Sequence, residues 1–296
     1  RNPLIRDQYS IISEFVNHDK YYLIGGSASW ANIRSLITYN LKDMELIELG
    51  DYDRPRVDVW GISDLNLLRE AHNIFAERDP KKPFFAVVQT AGNHRPYSIP
   101  DDNAGFEIKD ENEEDLRKAG FSSLDQYNAM RLLDHSIGKF FEMARSVDYF
   151  EHTIFVLFGD HGNADPKAEH MPSDDYALRL RSYNVPLIIY SPGFFIQQKP
   201  VKTVCGLPDL IPTIASLSGV SYTNRTLGRD ILKIKDGIAF VVNKKIAPSS
   251  YGILDGKNYL RIFRNESGME FHDLQSSDPA QDIKSEKERE VITFEE

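Results

Sequence analysis

Three nearly continuous apolar runs restrict what this chain can fold into. They are PFFAVVQT at 83–90, TIFVLFGD at 153–160 and VPLIIYSPG at 185–193. Such runs are typical of parallel strands that helices cover on both faces, and each is far shorter than the roughly 18–20 residues that cross a bilayer. Residues 123–147 have apolar side chains at helical spacing. This alternation predicts an α/β fold, a three-layer αβα sandwich with a mostly parallel central sheet.

Other segments extend the pattern toward both ends of the chain. YYLIGG at 21–26 is predicted to be a strand that ends in a glycine turn, and residues 1–20 are predicted to form a helix leading into it. Residues 208–220 are predicted to form a helix, because a proline opens the segment and a glycine closes it. The acidic segment 101–118 is predicted to be a solvated surface loop.

The pattern changes past about residue 236. Short β-rich runs are separated there by turn residues, and Asp255-Gly256 is a hairpin signal. We therefore expect an α/β core over residues 1–235 and a small antiparallel β subdomain over residues 236–296.

The charge balance and the cysteine usage bear on partners and compartment. The 296 residues carry a formal net charge of −10 and no run of five or more basic residues, so nucleic acid is not an expected partner. Cys205 is the single cysteine, so cysteine usage does not identify the compartment. The chain starts at Arg1 without a signal peptide, and we expect it to be a piece of a longer protein.

Two polar loops follow predicted buried strands. Asp160 and His161 come at the end of one strand, and His94 lies in the loop after another. Ligands of open α/β sheets bind beyond the carboxyl ends of the strands, and carboxylate and imidazole groups bind divalent ions such as Mn, Zn or Mg. The two loops together favour a metal-dependent site. The alternatives are that Asp160 caps a turn beside a solvent-facing His161, and that His94 bonds to its own loop backbone.

Several short segments follow one another in an order that resembles a known superfamily. FGDHG at 158–162 is similar to a metal-binding Asp-His pair, TAGNHRPY at 90–97 to a substrate-binding loop, and GGSASWANIRSL at 25–36 to an aromatic segment that reaches the substrate. The chain resembles the alkaline phosphatase/sulfatase superfamily, and most closely the branch of lipoteichoic acid synthases and membrane phosphoglycerol transferases. Further similar segments are the helix with Tyr127 and Asp134, the Asp-x-x-Pro-Thr helix at 209–213 and the Asp-Pro hairpin at 269–282.

The resemblance implies an alkaline phosphatase-like fold and a role for each matching residue. Asp160 and His161 would be metal ligands, and His94 would bind the phosphate of the substrate or product. Trp30 would lie on the substrate side of the pocket. The implied cofactor is a divalent metal, for which Mn is favoured over Mg, Zn or Ca. Asn32 stands where the family often has an arginine, which leaves recognition of the headgroup open.

The resemblance also implies a substrate class and a location. The full-length protein would be a phosphoryl or phosphoglycerol transferase, or a sulfatase-like hydrolase, acting on phosphodiester or sulfate-ester substrates that are linked to lipid or glycan. It would work as an extracytoplasmic, periplasmic domain at the cell membrane, attached through a missing N-terminal part. The alternative from a different class is a catalytically inactive sulfatase-like module with a lipid-binding or regulatory role.

Part of the implied active site is expected outside this chain. The family nucleophile and a further acidic ligand precede the aromatic segment, and only about 25 residues precede that segment here. The nucleophile is therefore expected upstream of Arg1, and Cys205 lacks the Cys-x-Pro-x-Arg pattern of sulfatase nucleophiles. We expect the isolated chain neither to turn over substrate nor to hold metal tightly. We also expect marginal stability or self-association, because a missing first strand would expose a sheet edge.

Overall fold

Parallel strand pairing organises the first part of the chain. The computed structural model describes residues 6–163, 166–195, 198–243, 249–264 and 268–287. Strand β1 (Asp19–Ile24) lies between β2 (Met44–Ile47) and β3 (Phe84–Gln89) and pairs in parallel with both. Ile24 stands opposite Gln89, and Leu23 stands opposite Ile47. The three strands therefore end at one edge of the sheet, and the loops that follow them lie side by side.

Among the described residues, two further strands and six α-helices belong to the α/β part. Strand β4 (Phe155–Phe158) pairs with β5 (Leu187–Tyr190), and within the described ranges these two strands form a sheet of their own. The helices are α1 (Ile33–Asn40), α2 (Asp64–Glu77), α3 (Glu113–Ala119), α4 (Leu124–Ala144), α5 (Ser173–Ala177) and α6 (Leu210–Leu217). In the part of the chain that the structure describes, no helix has the length and apolar character that a membrane crossing requires.

The chain divides into two compact units. The first unit consists of Arg1–Val156 with Ile189–Gln197, and the second consists of Leu157–Ile188 with Gln198–Glu296. The sequence boundary that we predict between residues 235 and 236 stays a prediction.

The core of the first unit forms where β1 and helices α2 and α4 pack together. Leu23 of β1 is fully buried, and Leu67 and Phe75 of α2 and Phe140 of α4 belong to the same cluster. Burial of one such side chain contributes about 1.5–3 kcal/mol. The apolar residues at helical spacing in α4 thus face this core, as the sequence pattern predicts. The helix falls within the predicted segment 123–147.

The antiparallel C-terminal sheet that the sequence predicts is confirmed. Its four strands pair in chain order, each antiparallel to the next. Val241 and Tyr259 pack with Leu180 on it, and Leu260 packs with Phe271 in a second cluster. The strands are β6 (Ala239–Asn243), β7 (Ser250–Leu254), β8 (Asn258–Phe263) and β9 (Met269–Asp273).

The prediction of a helix over residues 1–20 is wrong for the residues that are described. Residues 6–18 contain a single 3-10 turn, Ile11–Glu14, which Ser10 caps by accepting the N–H of Ile12. Phe15 ends the turn and is buried, with its ring 4.9 Å from that of Phe85 on β3. One 3-10 turn is enough to bring Phe15 against the sheet, and strand β1 begins four residues later.

The prediction of a loop over residues 101–118 is wrong at its C-terminal end, where α3 begins. Asn112 caps this helix, because its Oδ1 accepts the N–H groups of Glu114 and Asp115 at 2.8 Å and 3.3 Å. Acidic residues in a first turn are favoured by the helix dipole. The same acidic composition that indicates a solvated loop thus stabilises a solvated helix.

Candidate active site

Asp64 ties the loop after β3 to the start of α2. Ser63 caps α2, so Asp64 is its first residue. The Asp64 carboxylate accepts the backbone N–H of Ala91 at 2.8 Å and that of Gly92 at 2.9 Å. A Cβ on Gly92 would lie 2.6 Å from the same carboxylate, so glycine permits this close approach. The loop that carries His94 is thereby held against the helix.

The environment of Asp64 marks it as an anchor of this loop. Its residue surface is only 8% exposed. Burial raises the pKa of Asp64, while the N–H groups of Ala91 and Gly92 act in the opposite direction. Both oxygens of this buried carboxylate accept hydrogen bonds from backbone N–H groups, so Asp64 positions the loop and does not face solvent.

Trp60 brings together the two substrate-binding residues that the sequence predicts in this unit. Its ring centroid lies 4.0 Å from that of His94 and 5.9 Å from that of Trp30. Its indole Nε1 donates to the carbonyl oxygen of Arg95 at 2.7 Å. Trp30 is 51% exposed. The three rings form a row at the sheet edge, with Trp60 as its middle member.

The hydrogen bonding of His94 identifies which ring nitrogen is free. Nδ1 lies 3.3 Å from the carbonyl oxygen of Arg95. Because a carbonyl oxygen only accepts, Nδ1 carries the proton of the neutral ring and Nε2 is left as an acceptor. His94 is exposed at the end of the aromatic row, so Nε2 is open to a ligand.

Glu48 braces the loop that carries Trp30. Its carboxylate accepts the backbone N–H of Ala28 at 2.8 Å and two bonds from Arg34, at 2.8 Å and 2.7 Å. A third nitrogen of Arg34 donates to Ser29 at 2.8 Å. The hydrogen bond from Arg34 lowers the pKa of Glu48. Three nitrogens of Arg34 are therefore engaged within the loop, and the guanidinium supports the position of Trp30.

Asp160 and His161 lie in the loop after β4, in the second unit. Gly159 donates its N–H to Pro186 at 3.2 Å, and Gly162 donates its N–H to Ser182 at 2.9 Å. A Cβ on Gly162 would lie 2.3 Å from a backbone oxygen. The loop is therefore held on both sides of the Asp-His pair, and both side chains point to solvent, at 76% and 64% exposed.

The donor atoms of this pair fit a divalent metal in type but not in number. His161 Nδ1 lies 3.2 Å from the carbonyl oxygen of Gly162, so Nδ1 carries the proton and Nε2 is free. Nε2 lies 3.8 Å from Oδ2 of Asp160, and one ion with bonds of about 2.1 Å reaches both atoms. The described ranges contain no cluster of three or more His, Cys, Asp or Glu side chains that could hold a metal.

The residues that our sequence analysis missed are Trp60 and Asp64, within WGISD at 60–64. Ser63 followed by an apolar helical pattern is an N-cap signal, and it identifies the helix start. Nothing in the sequence pairs this helix start with the His94 loop, because residues 64 and 91 become neighbours only when α2 packs beside β3.

Cys205 is expected to react slowly with thiol reagents. It is half-buried, and burial together with the charge of Asp209 raises the pKa of its thiol above its ordinary value. Since the thiolate is the reactive form, reaction with a disulfide reagent at pH 8 should be slower in the folded chain than in urea. A pH profile of the folded chain with a midpoint at or below that of the chain in urea would contradict this expectation.

Comparison with known proteins identifies the family. The sequence model of the sulfatase family, described simply as "Sulfatase", matches residues 12–220. The chain belongs to the sulfatase family. The matched range contains Trp30, His94, Asp160 and His161, so every predicted site residue lies inside the family match.

Two curated relatives of this sulfatase-family chain differ in their names. Lipoteichoic acid synthase 1 of Bacillus subtilis (strain 168) is 25% identical over 198 residues, which cover 62% of this chain and 26% of that protein. Arylsulfatase of Clostridium perfringens (strain 13 / Type A) is 25% identical over 233 residues, 66% of this chain and 47% of that protein. The chain thus spans about a quarter and about half of these two relatives.

The fold is shared with a solved structure. The crystal structure of a protein in the alkaline phosphatase superfamily from Vibrio parahaemolyticus matches with a TM-score of 0.73 and 22% identity, over 99% of this chain and 71% of that one. The sulfatase-family chain therefore has an alkaline phosphatase-like fold, as its resemblance implies.

Proposed function

We propose that this chain is part of a metal-dependent phosphoryl or phosphoglycerol transferase that acts on phosphodiester headgroups at the outer face of the cytoplasmic membrane. The observation that carries the proposal is the solvent-facing pair of Asp160 and His161, in which a carboxylate oxygen and an unprotonated imidazole nitrogen stand 3.8 Å apart. The similarity to lipoteichoic acid synthase 1 supports the transferase class.

Each site residue has a distinct role in this proposal. Asp160 and His161 hold a divalent metal, of which manganese is the favoured ion and Mg, Zn or Ca the alternatives. A bound ion neutralises phosphate oxygens and makes an attacking oxygen more nucleophilic. In its imidazolium form, His94 donates from Nε2 to a phosphate oxygen of the substrate, and in its neutral form Nε2 accepts a proton; Trp60 keeps the ring in place. Trp30, whose ring is half-exposed, lies on the substrate side.

The proposal assigns the remaining parts of the centre to other residues of the whole protein. Two donors hold a divalent ion weakly, because such sites use three or more protein ligands. We propose that the nucleophile and the further ligands come from a segment that precedes this chain and that also attaches the protein to the membrane. We propose further that the complete domain is a three-layer αβα sandwich.

A second candidate is hydrolysis of a sulfate ester, which the similarity to an arylsulfatase favours. It would use the same metal pair on a lipid- or glycan-linked substrate. A catalytically inactive lipid-binding or regulatory module is the third candidate. In the complete protein, release of diacylglycerol from phosphatidylglycerol vesicles, with the glycerol phosphate bound to an acceptor hydroxyl, supports the transferase, and hydrolysis of nitrophenyl sulfate supports the sulfatase.

Titration of the 296-residue chain with Mn²⁺ tests the metal assignment. We expect weak binding by water-proton relaxation, with a Kd on the order of 10⁻⁴–10⁻³ M. Asp160→Asn and His161→Ala should each abolish it, because each removes one of two donors. His152→Ala, a change at another exposed histidine, should leave binding unchanged.

Two results would contradict this assignment. One is Mn²⁺ binding that neither Asp160→Asn nor His161→Ala weakens, because the ion would then lie elsewhere. The other is turnover of a phosphodiester by the chain alone that depends on Asp160, because the chain would then supply the whole centre.

A further inference from the structure

A groove beside α4 contains side chains that the proposed function does not use. Its volume is about 390 Å³, which falls within the range of roughly 300–1,000 Å³ that small-molecule sites occupy. All of its residues belong to the first unit. The side chains that matter for its chemistry are Phe106, Phe121, Tyr127, Arg131, Asp134 and His135.

Three aromatic rings supply the apolar surface of this α4 groove. Phe121 and Tyr127 meet edge to face, with ring centroids 5.2 Å apart. Phe106 is buried, and its ring lies 5.6 Å from that of His135. Rings that are fixed by such contacts present a rigid apolar surface, and the Tyr127 hydroxyl adds a polar edge.

Arg131 occupies a fixed position over two of these rings. Its guanidinium carbon lies 5.0 Å from the centroid of Phe106 and 5.6 Å from that of Tyr127. One terminal nitrogen donates to the carbonyl oxygen of Glu107 and to Oδ1 of Asn128, both at 2.9 Å. The guanidinium therefore covers the ring faces that an organic cation would need, and its other N–H groups can donate to a ligand.

Asp134 and His135 add hydrogen-bond acceptors to the groove. Asp134 is exposed, and its carboxylate has no hydrogen bond or ion pair within the part of the chain that the structure describes, although Arg131 lies one turn earlier on α4. His135 Nε2 lies 3.2 Å from the carbonyl oxygen of Ala104. Nε2 therefore carries the proton, and Nδ1 is an acceptor.

The charges of the groove select among ligand classes. The carboxylates of Glu107 and Asp134 repel an anion, and the guanidinium of Arg131 repels a cation and covers the aromatic faces. A neutral ring with several hydroxyls meets neither obstacle. Its hydroxyls can donate to Asp134 and accept from Arg131, while its C–H face lies against the ring of Phe121, which Arg131 does not cover.

We propose that the α4 groove binds one unit of a neutral saccharide. The proposal goes beyond the proposed function, since it assigns a separate ligand to residues that share no member with the metal pair. It places carbohydrate recognition on Tyr127 and Asp134, with Arg131 as the donor.

Saturation-transfer NMR on the intact chain tests the proposal, with cellobiose, lactose and N,N′-diacetylchitobiose as probes and EDTA present throughout. At least one disaccharide should receive saturation. Asp134→Asn should weaken its binding by about tenfold, because a charged acceptor is lost, and Tyr127→Leu should abolish it. Asp125→Asn is the matched control, since this exposed aspartate of the same helix does not line the groove, and binding should be unchanged.

Three results would overturn the proposal. The first is no saturation transfer to any of the three disaccharides. The second is equal binding by the Asp134→Asn and Tyr127→Leu variants and the original chain. The third is binding of choline that Asp134→Asn abolishes, which would make the groove a cation site. Because EDTA removes divalent metal, failure here leaves the Mn²⁺ titration as an independent test of the proposed function.

Discussion

Replacement of Asp64 with alanine is expected to lower the free energy of unfolding by about 3 kcal/mol. The change leaves the N–H groups of Ala91 and Gly92 without their carboxylate partner. An unsatisfied buried donor costs about 1–3 kcal/mol, and the relief of burying a carboxylate offsets part of the total. Urea unfolding, followed by circular dichroism, measures the change.

The same variant is expected to alter the environment of the aromatic row. The chain has two tryptophans, Trp30 and Trp60, and both belong to that row. Release of the loop that carries His94 should shift tryptophan emission to longer wavelength in the folded state, because Trp60 loses a ring neighbour. Intrinsic fluorescence in the absence of denaturant therefore reports on the site separately from global stability.

Two further variants calibrate the result for Asp64. Asp64→Asn keeps one acceptor oxygen and should lose about half as much stability. Asp53→Ala, at an exposed position, should change the free energy of unfolding by less than about 0.5 kcal/mol. An Asp64→Ala variant with unchanged unfolding midpoint and unchanged emission would show that the carboxylate does not hold the loop.

Replacement of Gly61 with alanine is expected to lower the free energy of unfolding by about 3–4 kcal/mol. Gly61 has φ +110°, a conformation that side chains rarely adopt, and a Cβ there would lie 1.9 Å from the carbonyl oxygen of Gly25. That oxygen accepts the N–H of Ile62 at 3.1 Å, so it cannot move away without losing a bond. Backbone strain and overpacking each contribute about 1–3 kcal/mol.

Gly50 provides a control that separates strain from collision. Gly50 has φ +108°, close to that of Gly61, but a Cβ there would meet no atom within 4 Å. Gly50→Ala should therefore lower the free energy of unfolding by about 1–2 kcal/mol, through backbone strain alone. Equal losses in the two variants, measured by urea unfolding, would mean that the approach of Gly61 to Gly25 contributes nothing.

The sequence predicted the elements that have strong periodicity and missed those that depend on context. Continuous apolar runs identified β3, β4 and β5, and helical spacing identified α4, each within a few residues. Strand β2 was not identified, because MELI is short and mixes a charge with apolar residues. The helix predicted over residues 1–20 is wrong for residues 6–18, which contain only the turn Ile11–Glu14, and local spacing does not reveal that Phe15 packs on β3.

Part of the candidate site was determined by the sequence alone. The pattern of a polar loop after a buried strand placed His94 in the loop after β3 and the Asp160-His161 pair in the loop after β4. The side chains that hold these loops were decided by tertiary structure. Asp64 is distant along the chain from Ala91, and Trp60 from His94, and only the packing of α2 beside β3 makes them neighbours. Such contacts depend on three-dimensional proximity, which residue type and spacing do not encode.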